Sequence, residues 1–204
     1  MIWNPAIRTV ESKIAKIQGW HRSFCLSVTA GRGTPANPGL VLALDTGGDC
    51  IGTAYRIADE NVKTELELLW RREMVCGSYI PRWVEVLDAE GNKFGYALAF
   101  TINPESPRYV KDMNVNAIIE RLSTASGGLG TAADYLLRTR DGLRQWGIPD
   151  AELEWLSERV EITCDRHRAA ARKQAASSRQ TAVDREYRQL MKHVTSTPGE
   201  MLPI

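Results

Sequence analysis

Apolar residues alternate or run together in five short stretches: RSFCLSV (22–28), LVLAL (40–44), CIGTAYRI (50–57), WVEVL (83–87) and FGYALAFT (94–101). Runs of this length with β-branched and aromatic residues predict strands. Turn chemistry separates them. GRGTPANPG (31–39) cannot continue a ladder, TGGD (46–49) reads as a hairpin turn, and DAEGN (88–92) divides the last pair. The period then changes to that of helices in DENVKTELELLWRREM (59–74), with Asp59 as its N-cap. VNAIIERLSTA (115–125), TAADYLLRTRDGLRQW (131–146) ending at Gly147, and DAELEWLSERVEIT (150–163) follow. Strands with helices between and after the hairpins predict an α+β fold, with a curved antiparallel or mixed sheet rather than a doubly wound parallel one.

The first helix carries an anomaly. Val62, Leu66, Leu69 and Glu73 fall at i, i+4, i+7 and i+11 and share one narrow face. Glu65 and Glu67 point to the flanks, as solvated carboxylates should. A carboxylate held on the buried face loses hydration, which raises its pKa and suits it to act as a general base. The alternative is structural: the stripe ends there because the helix leaves the core, and Arg71 or Arg72 pairs with Glu73 at the surface. The pattern leaves both open.

Composition narrows the classes. The chain has 204 residues, 43% of them apolar and 25% charged, enough for one domain with a proper core and an appendage. No apolar run approaches the length that crosses a bilayer, and MIWNP at the start lacks the features of a secretory signal, so a cytoplasmic protein is expected. Cysteines 25, 50, 76 and 164 are widely spaced and there are three histidines, which argues for reduced thiols and against a zinc site. His21 has no metal partner near it in sequence, and Cys76 reads as packing. GGLG (127–130) lacks the spacing and preceding strand of a nucleotide fingerprint and reads as a turn between helices.

Net charge of +1 hides an asymmetry. Residues 1–165 carry 18 Lys/Arg and 22 Asp/Glu, whereas 166–204 carry 8 and 3. Two segments are therefore expected: a domain over 1–165 and a basic extension over 166–204. In the extension Val183, Tyr187, Leu190 and Val194 predict a short amphipathic helix before Pro198. No aromatic interleaving supports nucleic-acid binding, and a monomer is expected.

MIWNP (1–5), GWHRSFCL (19–26), RGTPANPGLVLALD (32–45), ELELLWRREMVCGSYIPRWV (65–84), YALAF (96–100) and GGLGTAADYL (127–136), in this order, resemble the ChaC family of gamma-glutamylcyclotransferases. The similarity covers residues 1–163 and is most specific in the RGTP and WRREM blocks. It implies a mixed β-barrel with flanking helices. It also implies an enzyme that acts on glutathione without a cofactor, releasing 5-oxoproline and cysteinylglycine. In the family the glutamate of the block matching RREM accepts the proton, which implies that role for Glu73. Tyr135 resembles a family tyrosine near the substrate, although a tyrosine early in an amphipathic helix also serves as core. Arg32 and Tyr79 lie in family-like loops where either would meet a substrate carboxylate or, alternatively, anchor a turn and pack.

Family members carry a Tyr-Gly-Ser-Leu loop that grips the glutamyl part of the substrate, after a first strand and before a Trp. Met1 and Ile2 match the last positions of that loop, ahead of Trp3. The expectation is thus a barrel lacking its first strand, from either a start assigned too late or a shortened form. The rival to a cyclotransferase is a catalytically silent ligand-binding or interaction domain.

Overall fold

The computed structural model describes residues 7–196, so Met1 and Ile2 lie outside the described residues. The chain divides into two compact units, Met1–Thr163 and Cys164–Ile204.

In the first unit two long strands, β1 (Glu11–Val28) and β2 (Gly39–Arg56), pair antiparallel along their length, and β3 (Tyr79–Leu87) pairs antiparallel with β4 (Lys93–Ile102). The hairpins join into a closed mixed barrel of order β1-β2-β4-β3. A parallel bridge at Leu44 and Thr101 and an antiparallel one at Lys16 and Leu87 close it. The α+β class and mixed barrel agree with expectation.

The strand count does not. TGGD is no hairpin turn: it lies inside β2, and the two strands predicted on either side are one. The register shifts there, from Gln18 opposite Asp49 to Trp20 opposite Thr46, with Gly19, Gly47 and Gly48 at positive φ. Such glycines are required by a tight turn and by a bulge alike; here they bend two strands that must curl into a barrel. A second shift, between Ser23 and Leu26, interrupts the alternation. Consecutive Phe24, Cys25 and Leu26 are consequently all buried.

After β2 a 3-10 turn (Asp59–Asn61) leads into α1 (Val62–Glu73). Ala58, not Asp59, caps that turn, and it makes no side-chain bond. Glu65 is a second correction: it is only 4% exposed and lies 3.9 Å from Arg8. Leu69 is buried on the same helix as expected, and Glu67 is exposed.

The later helices follow their sequence signals. α2 (Val115–Thr124) is capped by Asn114, whose Oδ1 accepts from Ala117 N at 2.9 Å. α3 (Ala132–Gln145) is capped by Thr131, whose Oγ1 accepts from Asp134 N at 2.9 Å. GGLG is indeed the turn between them, held by the short hairpin β5 (Ser126–Gly127) and β6 (Gly130–Thr131). Leu122, Leu136, Leu143 and Val160 are fully buried among these helices.

α4 spans Ala151–Ser196, where two helices separated by a polar stretch were predicted. The intervening residues are rich in Ala, Arg, Lys and Gln, all strong helix formers, so nothing local stops the helix. Val183 and Tyr187 are exposed; the side chains of Leu190 and Val194 lie outside the described ones. No helix among the described residues is long and apolar enough to cross a membrane. None of the four cysteines, all of which lie among the described residues, is in a disulfide.

Candidate active site

α1 ends at Glu73 and β3 begins at Tyr79, so only Met74–Ser78 separates a helix C-terminus from a barrel strand. Met74 N donates to Trp70 O at 2.9 Å and closes the helix, and Gly77 at positive φ turns the chain. Asn103, just beyond β4, fastens this connection from the other side. Its Nδ2 donates to Gly77 O at 2.9 Å and its backbone N to Ser78 O at 2.9 Å. Glu73 and Tyr79 are in this way held at one place on the barrel wall.

That place opens on a cavity of about 370 Å³ inside the barrel, floored by apolar residues of all four strands. Glu73, Tyr79 and Tyr135 line it together, as do Arg22, Cys50 and Thr139. The Glu73 side chain is 16% exposed and accepts from Arg72 Nε at 2.7 Å. Glu73 is thus paired with Arg72, as the structural reading of the stripe expects, and it also lines the cavity. Tyr135, in the first turn of α3, accepts from Leu42 N at 3.3 Å and meets the Phe24 ring edge-on at 6.3 Å.

Electrostatics separate the lining groups by role. Burial pushes the Tyr79 phenol far above its ordinary value, with Tyr135, Glu73 and Cys25 adding to the shift and Arg72 opposing it. Burial likewise raises Tyr135, against hydrogen bonds from Leu42 and Thr139 and the charge of Arg32. The Cys50 thiol is also raised by burial, with Arg22 pulling it down and Asp150 up. Both tyrosines and the thiol are thus kept protonated at neutral pH, and arginine cannot serve as a base. Glu73 is the carboxylate among the described lining residues.

Arg32 is elsewhere. It is buried but does not line the cavity; its Nη1 donates to Thr131 O at 3.2 Å and lies 3.9 Å from Asp134 Oδ2. It ties the loop before β2 to the turn before α3, which is the anchoring alternative. His21 Nδ1 lies 3.1 Å from Gly47 O, a contact that spans the bulge. Sequence reasoning missed Arg22. Its Nη1 donates to Asp150 Oδ2 at 3.0 Å and its Nη2 to Ile51 O. The signal was an arginine where a strand should be apolar, the same kind of anomaly that drew attention to Glu73. Among the described residues no cluster of His, Cys, Asp and Glu could hold a metal ion.

The chain is similar to known proteins in sequence and in fold. Residues 1–163 match the family model described as ChaC-like protein. The chain is 43% identical over 150 residues to the glutathione-specific gamma-glutamylcyclotransferase of Escherichia coli strain K12, a match covering 74% of this chain and 64% of that protein. The chain thus matches less than two thirds of that relative's length. It is 27% identical over 155 residues to the glutathione-specific gamma-glutamylcyclotransferase 1 of Danio rerio, covering 74% of this chain and 79% of the relative. A crystal structure of a yeast gamma-glutamyl cyclotransferase specific to glutathione superposes with a TM-score of 0.72 at 21% identity, over 79% of this chain and 92% of that one. The barrel fold is shared with it.

Proposed function

We propose that this chain, which belongs to the ChaC-like protein family, is a gamma-glutamylcyclotransferase that cleaves glutathione to 5-oxoproline and cysteinylglycine. The observation that carries this reading is the seating of Glu73 in the barrel cavity beside Tyr79 and Tyr135, two partly buried tyrosines, with the other titratable lining groups held protonated.

The chemistry asks little of an enzyme. In a γ-glutamyl amide the substrate's own α-amino nitrogen attacks its γ-carbonyl carbon, forming the lactam C–N bond while the C–N bond to cysteine breaks. The nucleophile arrives with the substrate, so the protein's main task is to hold the folded geometry. The attacking ammonium nitrogen gives up two hydrogens and the departing nitrogen gains two as it becomes an ammonium group. Glu73 accepts from the first nitrogen and delivers to the second. Tyr79 and Tyr135, neutral phenols at the same cavity, orient the substrate through their hydroxyls. Arg32 contributes indirectly, by holding the loop before β2. Four cysteines without a disulfide accord with a reducing compartment, and we propose a cytoplasmic location.

The test is Glu73→Gln, assayed for 5-oxoproline release from glutathione. The amide keeps the shape and a hydrogen-bond acceptor for Arg72 but cannot take a proton. Turnover should fall by about 10²–10⁴-fold with the melting temperature little changed. Undiminished turnover would remove Glu73 from the role.

A further inference from the structure

The cavity contains a second charged group that proton transfer does not use. We propose that Arg22 receives the C-terminal carboxylate of the substrate and so selects the tripeptide over γ-glutamyl compounds that lack that group. The proposal rests on the cyclotransferase reading and names the specificity of the same site.

Strand register sets the distance. Arg22 lies opposite Leu44, Leu44 opposite Thr101, and Thr101 opposite Ile80, the neighbour of Tyr79. Three steps between strands at about 4.8 Å each amount to about 14 Å around the wall, and less straight across. An extended tripeptide spans roughly 10 Å. A substrate with its γ-glutamyl end at Glu73 and Tyr79 is therefore long enough for its far carboxylate to approach Arg22 within the one cavity that all three line.

Chemistry gives the need. A carboxylate entering a cavity with an apolar floor loses hydration, and fixed donors must replace it. Arg22 is the guanidinium among the described lining residues. It is held rigidly: Asp150 Oδ2 takes its Nη1 at 3.0 Å, and the Ile51 carbonyl takes its Nη2. Asp150 is fixed in turn, because its Oδ1 accepts from Leu153 N at 3.0 Å in the first turn of α4. Both side chains of the pair are 17% exposed. Arginine has five N–H donors in a planar fork and serves two carboxylates on different edges, so the pairing with Asp150 orients the guanidinium and leaves donors for a ligand.

The experiment compares glutathione with its ester at the glycine carboxyl, which keeps the reacting end and removes the distant charge. For the unaltered chain kcat/KM should favour glutathione by about 10- to 100-fold, the effect of one charge-assisted contact. Arg22→Met, made together with Asp150→Asn so that no carboxylate is buried without its cation, should abolish that preference, mainly through KM. Arg22→Lys keeps a cation for Asp150 but loses the fork, and should reduce the preference; it decides the matter alone if the double variant does not fold. Equal losses on both substrates, or a preference that survives in the variants, would overturn the proposal. Calorimetric binding of the same two compounds separates it from the underlying reaction. Tighter binding of glutathione without 5-oxoproline release sinks the reaction and leaves Arg22 standing. Equal cleavage and binding of both compounds sinks Arg22 and leaves the reaction standing.

Discussion

Glu73 combines two properties that seldom meet in one helix residue: it ends an apolar stripe, and it is ion-paired to the residue before it. The pairing keeps a partner for the carboxylate while its other face meets the cavity. Tyr135 does two jobs as well, since its hydroxyl satisfies the Leu42 N–H on β2. Tyr135→Phe should cost about 1 kcal/mol of stability by leaving that donor unmet, and lower kcat/KM for glutathione; paired thermal melts and rate measurements check both. The cysteines differ for a comparable reason. Cys76 is exposed, while Cys25 and Cys50 are buried with their thiols pushed up. Because only the thiolate reacts, iodoacetamide at pH 8 should label Cys76 well before either of the other two, as peptide mass spectrometry would show.

At the scale of elements, the loop between β1 and β2 and the turn between α2 and α3 form one unit. Arg32 reaches from the loop to Thr131 and Asp134, and Leu129 N donates to Gly31 O at 2.8 Å. Gly127 has no room for a side chain, because a Cβ there would sit 2.5 Å from the Gly31 carbonyl oxygen. Gly127→Ala should therefore destabilise by about 1–3 kcal/mol through backbone displacement, and Arg32→Ala by about 1–3 kcal/mol because Thr131 O and Asp134 lose a buried donor. Chemical denaturation measures both. Since this unit carries α3, and with it Tyr135, either change should also raise KM for glutathione.

For the whole molecule the clearest expectation concerns alkaline pH. Burial, helped by the charge of Asp45, pushes the Cys25 thiol from 9.0 up to about 11. Tyr109, desolvated and bonded to Asp45 at 2.8 Å, is pushed from 10.0 up to about 12. Folded protein thus holds these protons more tightly than the unfolded chain. The stabilisation they give is complete below about pH 9 and is lost as pH rises toward 11 and 12. Denaturation midpoints should fall steeply over that window, and Cys25→Ala should flatten its lower part.

Much of this was readable from local pattern. The helices over 115–125 and 131–146, the loop over 31–39 and the turn at 88–92 depend on neighbours in the chain, and so does the placement of Glu73 on the apolar stripe of α1. The bulge at Gly47 and Gly48 could not be recognised, because positive φ serves a turn and a curled strand equally and only barrel closure distinguishes them. Glu65 was misjudged because its burial comes from residues far from it in sequence. The composition of the site was decided the same way. Order along the chain determined which side chains were available, whereas pairing β1 with β2 and β2 with β4 put Arg22, Glu73, Tyr79 and Tyr135 around one cavity, since contact between distant strands follows from register and curvature that no local window contains.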